Sequence, residues 1–216
     1  MAAFLEPTCD SGTSEWREKR KTLITSTKVK DVCTRSDQDR LAEEIKFPRD
    51  ISHLPFVRLG IEREELGAAF LLSSLPADAV LRNCGLIVSK EHPWLAATPD
   101  RILILGSTTY LVEIKNWFQT PRQKCLSDLP YLDGNLKLKR SHAHYYQVQT
   151  AMLVSGIKFC YFVIHGSESK IELIHFDEAL SRTIVEKTKQ FFDLYFKPAI
   201  PESCPPVTAR HDIPRQ

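Results

Sequence analysis

Three charged side chains stand where charge is hardest to place. In LAATPDRILILGSTTYLVEIKNW, residues 95–117, Asp100 precedes one apolar run, RILIL, while Glu113 and Lys115 lie at the end of another, YLVEIK. The GSTT between them reads as a tight turn, so the runs form a hairpin. Residues two apart on a strand share a face, so Glu113 and Lys115 point one way and Val112, Ile114 and Asn116 the other. Antiparallel pairing about GSTT brings Asp100 near Glu113–Lys115. Two neighbouring carboxylates do not both stay ionised without a cation. Oxygen donors of this kind suit Mg²⁺ (or Mn²⁺), and an adjacent Lys can orient a water and help deprotonate it. A metal, an activated water and a cation together suit hydrolysis of a phosphodiester.

The spacing also has a plainer reading. E-x-K occurs three times, at Glu44–Lys46, Glu113–Lys115 and Glu168–Lys170. The first lies in a helix-like stretch and the last in a polar turn, and solvated faces explain both. Only the middle pair sits in an apolar strand behind Thr-Pro-Asp. On spacing alone a metal site and a wet sheet edge explain it equally well, since short motifs match by chance and charges stay out of cores unless paired.

The elements that must position these residues are read from periodicity and punctuation. Thr13–Lys21 is a short polar helix with Ser14 as its cap, and Ile24–Thr27 starts a second helix with hydroxyl caps. Gly60–Ser73 reads as a helix whose apolar face is Leu59, Leu66, Ala69, Phe70 and Leu72, with Glu62, Glu64 and Glu65 in its first turn. Cys84–Ser89 is a short strand ahead of the hairpin. Pro121–Asn135 is an irregular connection with room for a short helix. Leu136–Ser155 is a helix ending at Gly156. Ile157–His165 is apolar enough to be a strand buried on both faces, Lys170–Phe176 alternates like an edge strand, and Asp177–Phe196 is an amphipathic closing helix. The order gives an α/β sandwich around a mixed sheet.

A chain of 216 residues, 43% hydrophobic and 26% charged, can form one large domain with a sizeable core. Its net charge of +2 permits a nucleic-acid partner without arguing for one. No apolar run approaches the roughly 20 residues of a membrane span, and MAAFLEPTCD lacks a secretory pattern. The expectation is an intracellular protein, nuclear or cytoplasmic, of host or viral origin. Its six cysteines (Cys9, Cys33, Cys84, Cys125, Cys160, Cys204) lack any CxxC and read as reduced thiols, Cys84 and Cys160 in the core. Residues 1–12 and 198–216 read as arms around one domain at 13–197.

Several motifs in register carry a resemblance. TPD-x12-EIK, then YYQVQ and an apolar strand ending FVIH, resembles the PD-(D/E)xK nuclease superfamily, and within it the lambda-exonuclease and YqaJ-type viral recombinase branch. Trp16, Arg20 and ITST are similar to that family's W-x3-R-x3-ITAS opening, Gly60-x3-Glu64 to its G-x3-E helix, PWLAATPD to WLGASPDG, LVEIK to LLEIKCP, and FKPAIPE to the end of its last helix. The likeness spans Trp16 to Glu202. It implies an α/β fold of the α+β type, with a restriction-endonuclease-like core and a central mixed sheet flanked by helices.

The resemblance also implies roles. Asp100 and Glu113, with the carbonyl of Ile114, would hold the metal, and Glu64 would reach it directly or through water. Lys115 would position and activate the attacking water, and Gln147 would brace the water or a ligand. Arg20 would meet a terminal 5′-phosphate, and Thr27, where the family has Ser, would donate to a phosphate. Double-stranded DNA would be the substrate, with a single-strand annealing protein as partner and a ring of copies as one assembly. Departures from the pattern, Arg101 for Gly and Asn116–Trp117 for Cys-Pro, bear on the groove around the DNA. Lys137 and Arg140, in LKLKRSHAH, are further candidates to line the DNA path.

Each residue has a plainer alternative. Glu64 complements a helix dipole, Gln147 and Gln149 form a polar helix face opposite Val148, Met152 and Ser155, Arg20 belongs to a solvated basic run, and LKLKRSHAH is an exposed helix start. His142 and His144 lack the partners of a zinc site. Trp94 and Trp117 read as packing groups. Three functions compete: a Mg²⁺-dependent exonuclease on double-stranded DNA, a silent DNA-binding module on the same fold, and an endonuclease or junction resolvase. The retained charges argue against the second, and Arg20 separates the first from the third. Iron–sulfur chemistry is disfavoured by the scattered cysteines.

Overall fold

The computed structural model describes residues 7–51 and 53–197. The expected tail at 198–216, the first half of the expected arm at 1–12 and the end of FKPAIPE lie outside the described residues. The hairpin is the axis of the fold. Strands β5 (Arg101–Leu105) and β6 (Thr108–Asn116) pair antiparallel, Arg101 opposite Val112 and Leu105 opposite Thr108. Two residues close the turn, and Gly106 takes φ +56, a conformation a side chain disfavours. On the far side of β6 lies β7 (Phe159–His165), parallel, followed by β8 (Lys170–His175), antiparallel at the edge. With β2 (Val80–Asn83) on the outside of β5, the order is β2-β5-β6-β7-β8. A second sheet has β1 (Ile24–Thr25) parallel to β4 (Leu95–Ala97), which pairs with β3 (Ile87–Val88).

Helices cover both faces of the five-stranded sheet. On one face, α5 (Glu64–Ser73) sets Ala68 and Leu71 against Leu103, Val112, Ile114 and Val163. It comes this close because residue 67 is glycine: a Cβ there would lie 2.5 Å from Ile114 Cγ2. On the other face, α2 (Val29–Thr34), α6 (Ala143–Ser155) and α7 (Glu178–Phe191) enclose Leu111, Phe162 and Ile164. Phe162 and Leu111 are fully buried, each contributing about 1.5–3 kcal/mol by leaving water. This is the helix-flanked mixed sheet expected from the sequence.

Several local expectations change. The cap of α1 (Ser14–Arg20) is Thr13, which accepts the Trp16 N–H at 3.1 Å, and not Ser14. Ile24 and Thr25 are strand, because the Ile24 N–H is taken by the Trp94 carbonyl at 2.8 Å; a 3₁₀ turn at Ser26–Lys28 leads into α2. The single helix expected over Gly60–Ser73 is two, α4 (Pro55–Glu62) and α5, broken at Arg63. A wheel counted through the break loses phase, so Leu66 (54% exposed) and Leu72 (38%) face outward while Ala68 and Leu71 face the sheet.

The strand expected over Cys84–Ser89 contracts to Ile87–Val88. The helix expected from Leu136 begins only at Ala143: Leu136 takes φ +58, and the Asp133 carboxylate accepts the N–H groups of Asn135 and Lys137 at 2.9 Å each. Helix α6 does end at Gly156, at φ +74. The closing helix starts as expected, with Asp177 accepting the Leu180 N–H at 3.1 Å, and its last turn is π. The irregular stretch after Pro121 carries one 3₁₀ turn, Leu126–Asp128. Within the expected N-terminal arm, Thr8 donates its N–H to the Leu86 carbonyl at 2.7 Å. Among the described residues no helix is long and apolar enough to cross a membrane.

Candidate active site

Strand alternation delivers Glu113 and Lys115 to the α6 side of β6. Glu113 is 3% exposed, which removes the wet-edge reading. One of its oxygens, Oε1, accepts from the Lys115 ammonium and from Gln147 Nε2, the latter at 2.5 Å from α6. Asp100 precedes β5 and, by extension of the register, lies opposite Glu113. Its Oδ2 accepts the Ile114 N–H at 2.6 Å. Val112 and Ile114, two apart, direct both backbone groups toward β5. The register therefore directs the Ile114 carbonyl, like its N–H, to the Asp100 side of β6.

Charge is poorly balanced here. Burial, and then the charge of Asp100, push the Glu113 carboxyl up to about 7. Burial also raises Asp100, against the pull of Lys115 and the Ile114 N–H. Burial alone would lower Lys115, but Glu113 and Asp100 outweigh it and carry the ammonium up to about 12. Glu64, in the first turn of α5, is raised by burial and by Asp100 and held down by Arg101.

These groups line one cleft of 440 Å³ together with Arg20, Thr27 and Arg101. Arg20 lies 4.0 Å over the Trp16 ring, and Trp16 Nε1 donates to Thr98 Oγ1 at 3.0 Å. Among the described residues Arg20 has no carboxylate partner, so its charge is available to an anion. Thr27 is exposed, its hydroxyl 3.1 Å from that of Thr25.

Not every candidate joins them in the same way. Arg101, expected against DNA, turns inward, is 8% exposed and binds Glu64 and Glu65, because residue 101 shares a face with Leu103, toward α5. Lys137 and Arg140 do not line the cleft; they face Glu172 (3.9 Å) and Asp177. Gln149 is not on a polar face: it is fully buried, donating to the His175 carbonyl at 2.9 Å and accepting the Asp177 N–H at 2.8 Å. Of the other E-x-K pairs, Glu44 sits on Arg35 and Arg40. Glu168 is structural rather than merely solvated, accepting the Leu126 N–H at 3.0 Å and, at its carbonyl, Trp117 Nε1 at 2.8 Å. Trp94 and Trp117 pack as expected, Trp94 donating to Thr188 Oγ1 at 3.1 Å.

Sequence reading missed a second groove of 280 Å³ on the other side of Lys115, walled by Tyr131 and His144. Burial, followed by the Lys115 charge, lowers His144 to about 3, so it stays neutral. Its signal was the spacing His144–Gln147, three apart on one helix face.

Whether these residues suit a divalent cation is a matter of donors and charge. Among the described residues no three Asp, Glu, His or Cys side chains close on one point as a ready-made cage. What converges is two carboxylates, Asp100 and Glu113, with the Ile114 carbonyl and too little positive charge. Mg²⁺ is commonly held by one or two carboxylates with water completing its shell, so the set fits.

Known structures share this fold. The fold is similar to that of an alkaline exonuclease from Laribacter hongkongensis (21% identity, TM-score 0.63, covering 84% of this chain and 91% of that one). It is also similar to a phage-related exonuclease from Haemophilus somnus 129PT (11% identity, TM-score 0.57, 79% and 93%) and to SOX in a SOX–DNA complex (10% identity, TM-score 0.57, 81% and 65%). No curated protein sequence matches the chain. The YqaJ-like viral recombinase domain matches over residues 15–158 of 216, a span that holds every carboxylate of the cleft's base together with Lys115 and Gln147. The chain therefore belongs to the YqaJ-like viral recombinase domain family, on the PD-(D/E)xK nuclease fold.

Proposed function

We propose that this chain is a divalent-cation-dependent DNA nuclease, an exonuclease that works from the ends of double-stranded DNA in recombination or DNA processing. The observation that carries the reading is the convergence of Asp100, Glu113, Lys115 and Gln147 at the base of a cleft on whose wall Arg20 has no carboxylate partner among the described residues. The fold shared with two exonucleases and a DNA-bound protein supports it.

Asp100, Glu113 and the Ile114 carbonyl would hold Mg²⁺ or Mn²⁺, which when bound supplies Lewis acidity toward a phosphoryl oxygen and toward water. Lys115 remains an ammonium at working pH, so it serves as a donor and not as the base. It orients a water against the phosphodiester and offsets charge that develops on the phosphate. Gln147 fixes the Glu113 carboxylate through its amide, leaving the second oxygen free. Arg20, set by its stacking on Trp16, takes the terminal 5′-phosphate. Attack by water on phosphorus with cleavage of the P–O3′ bond would leave a 5′-phosphate on one product and a 3′-hydroxyl on the other, the attacking water giving up a proton to solvent and the leaving 3′ oxygen taking one up.

The test is Mg²⁺-dependent degradation of linear duplex with 5′-phosphate or 5′-hydroxyl ends, beside a closed circle. Loss of the linear substrates, faster with the phosphate, and sparing of the circle is expected. Cutting of the circle would make the protein an endonuclease. Absence of cutting by folded protein that still binds DNA would leave a binding module.

A further inference from the structure

Arg101 stands where the resemblance has glycine, and it is among the few charged side chains that are buried. Removing a guanidinium from water is costly unless its donors are matched, and three hydrogen bonds match those of the two Nη groups here. Nη1 binds Glu64 Oε1 and the Asp100 carbonyl (2.6 Å), and Nη2 binds Glu65 Oε1 at 2.5 Å. The side chain is 10% exposed, Glu64 is 26% exposed, and Glu65, at 74%, is mostly in water. The contact that matters electrostatically is thus the one with Glu64, made directly beside the Asp100 backbone. A guanidinium does not lose its proton in a protein, and its planar fork serves two acceptors at once. Arg101 is a permanent positive charge built into the wall of the cleft.

Charge counting gives this a consequence. Asp100, Glu113 and Glu64 bring three negative charges when ionised, and Lys115 and Arg101 bring two positive ones. One divalent ion overcompensates the single remaining charge, and a second would meet a site already positive. With a neutral residue at 101, one ion only balances the site, and Glu64 is free to take part in holding another. Two-ion sites use a second carboxylate group of this kind in phosphoryl chemistry.

We propose that Arg101 is a resident cation that occupies Glu64 and limits this chain to one divalent ion, held by Asp100 and Glu113. The proposal rests on the reading of Asp100 and Glu113 as a cation site. Glu64 then acts by holding Arg101 against the Asp100 carbonyl and bears no ion itself. Arg101 thereby fixes the backbone from which the Asp100 carboxylate projects.

The test counts Mn²⁺ bound to the full chain without DNA at pH 8, from the electron paramagnetic resonance signal of the free ion. One ion is expected for the wild type, two for Arg101→Ala, one again for Arg101→Ala/Glu64→Gln, and none for Asp100→Asn/Glu113→Gln. Circular dichroism establishes that each variant is folded. If Arg101→Ala does not fold, Arg101→Met, which keeps the length of the side chain while losing both the charge and the donors to Glu64, gives the same count of two. Two ions in the wild type, or one in a folded Arg101 variant, would overturn the proposal and leave the cation site standing. No ion in the wild type, or an unchanged count in Asp100→Asn/Glu113→Gln, would overturn the cation site and the proposal with it.

Discussion

Replacing Glu113 by Gln should make the metal-free protein less sensitive to pH, in a direction opposite to that of an ordinary salt-bridged carboxylate. Burial first, and Asp100 second, hold the Glu113 carboxyl at about 7, against an ordinary 4.5. The folded state therefore keeps a proton that the unfolded chain has already released. Below about 4.5 both states hold it, and the contribution to stability is fully present. Between about 4.5 and about 7 the folded state binds more protons, so stability falls as pH rises, and above about 7 the loss is complete. A difference of two to three pH units corresponds to about 3 kcal/mol, or roughly 6–12 °C in melting temperature for a domain of this size. The assay is urea and thermal unfolding in EDTA at pH 5 and pH 8. Wild type should lose about 3 kcal/mol relative to Glu113→Gln between the two. Comparing slopes removes the pH-independent cost of the lost Lys115 contact, and His144, depressed to about 3 by burial and Lys115, contributes to both proteins alike. Parallel curves, or a wild type that gains on the variant toward pH 8, would refute the claim that burial dominates at Glu113.

Three further outcomes follow from single contacts. Gly67→Ala would place a methyl 2.5 Å from Ile114 Cγ2 and force α5 off β6; a loss of about 1–3 kcal/mol in chemical unfolding is expected, and an unchanged midpoint would contradict it. Arg20→Ala should lower kcat/KM on 5′-phosphate ends by roughly thirtyfold, the worth of one charge-assisted hydrogen bond of about 2 kcal/mol, and leave 5′-hydroxyl ends within a factor of about two; equal loss on both ends would remove Arg20 from end recognition. Asp177→Ala removes the cap of α7, at 3.1 Å from the Leu180 N–H, and should cost about 1–2 kcal/mol of stability without changing Mn²⁺ binding; a change in that binding would mean the helix bears on the cleft.

What could be read from the sequence was set by short-range rules. A turn at GSTT and a period of two sufficed to bring Asp100 near Glu113 and Lys115, while the exact register rests on a turn of only two residues, Gly106 and Ser107, with Thr108 and Thr109 already in β6. Gly156 and Asp177 announced helix ends through their own chemistry. Strands β2 and β4 were not visible, because each is made a strand by a partner far along the chain: Val80–Asn83 by β5, and Leu95–Ala97 by β1, about 70 residues earlier. The stretch Leu136–His142 alternates leucine and lysine, a period of two that does not continue the helical pattern of α6, and side chains from elsewhere, including Glu172 on the Leu138 N–H at 2.9 Å, hold it open. Arg101, expected along the DNA because it replaces a glycine of the resembled pattern, does line the cleft but turns its guanidinium inward to Glu64 and Glu65. Its alternation with Leu103 was the available signal that it faces the core, and only the carboxylates of α5 explain how that burial is tolerated.

The central claim is that Asp100, Glu113 and Lys115 carry out hydrolysis. Its most direct measurement is the single-turnover release of nucleotides from a 5′-phosphorylated linear duplex in Mg²⁺, comparing wild type with Lys115→Ala and Asp100→Asn, each shown to be folded. Both variants should be slower by about a hundred- to a thousandfold, the range of losses when a charge-stabilising donor is removed from a buried site. Release within a few-fold of the wild type by either folded variant would mean that the hydrolysis is done elsewhere.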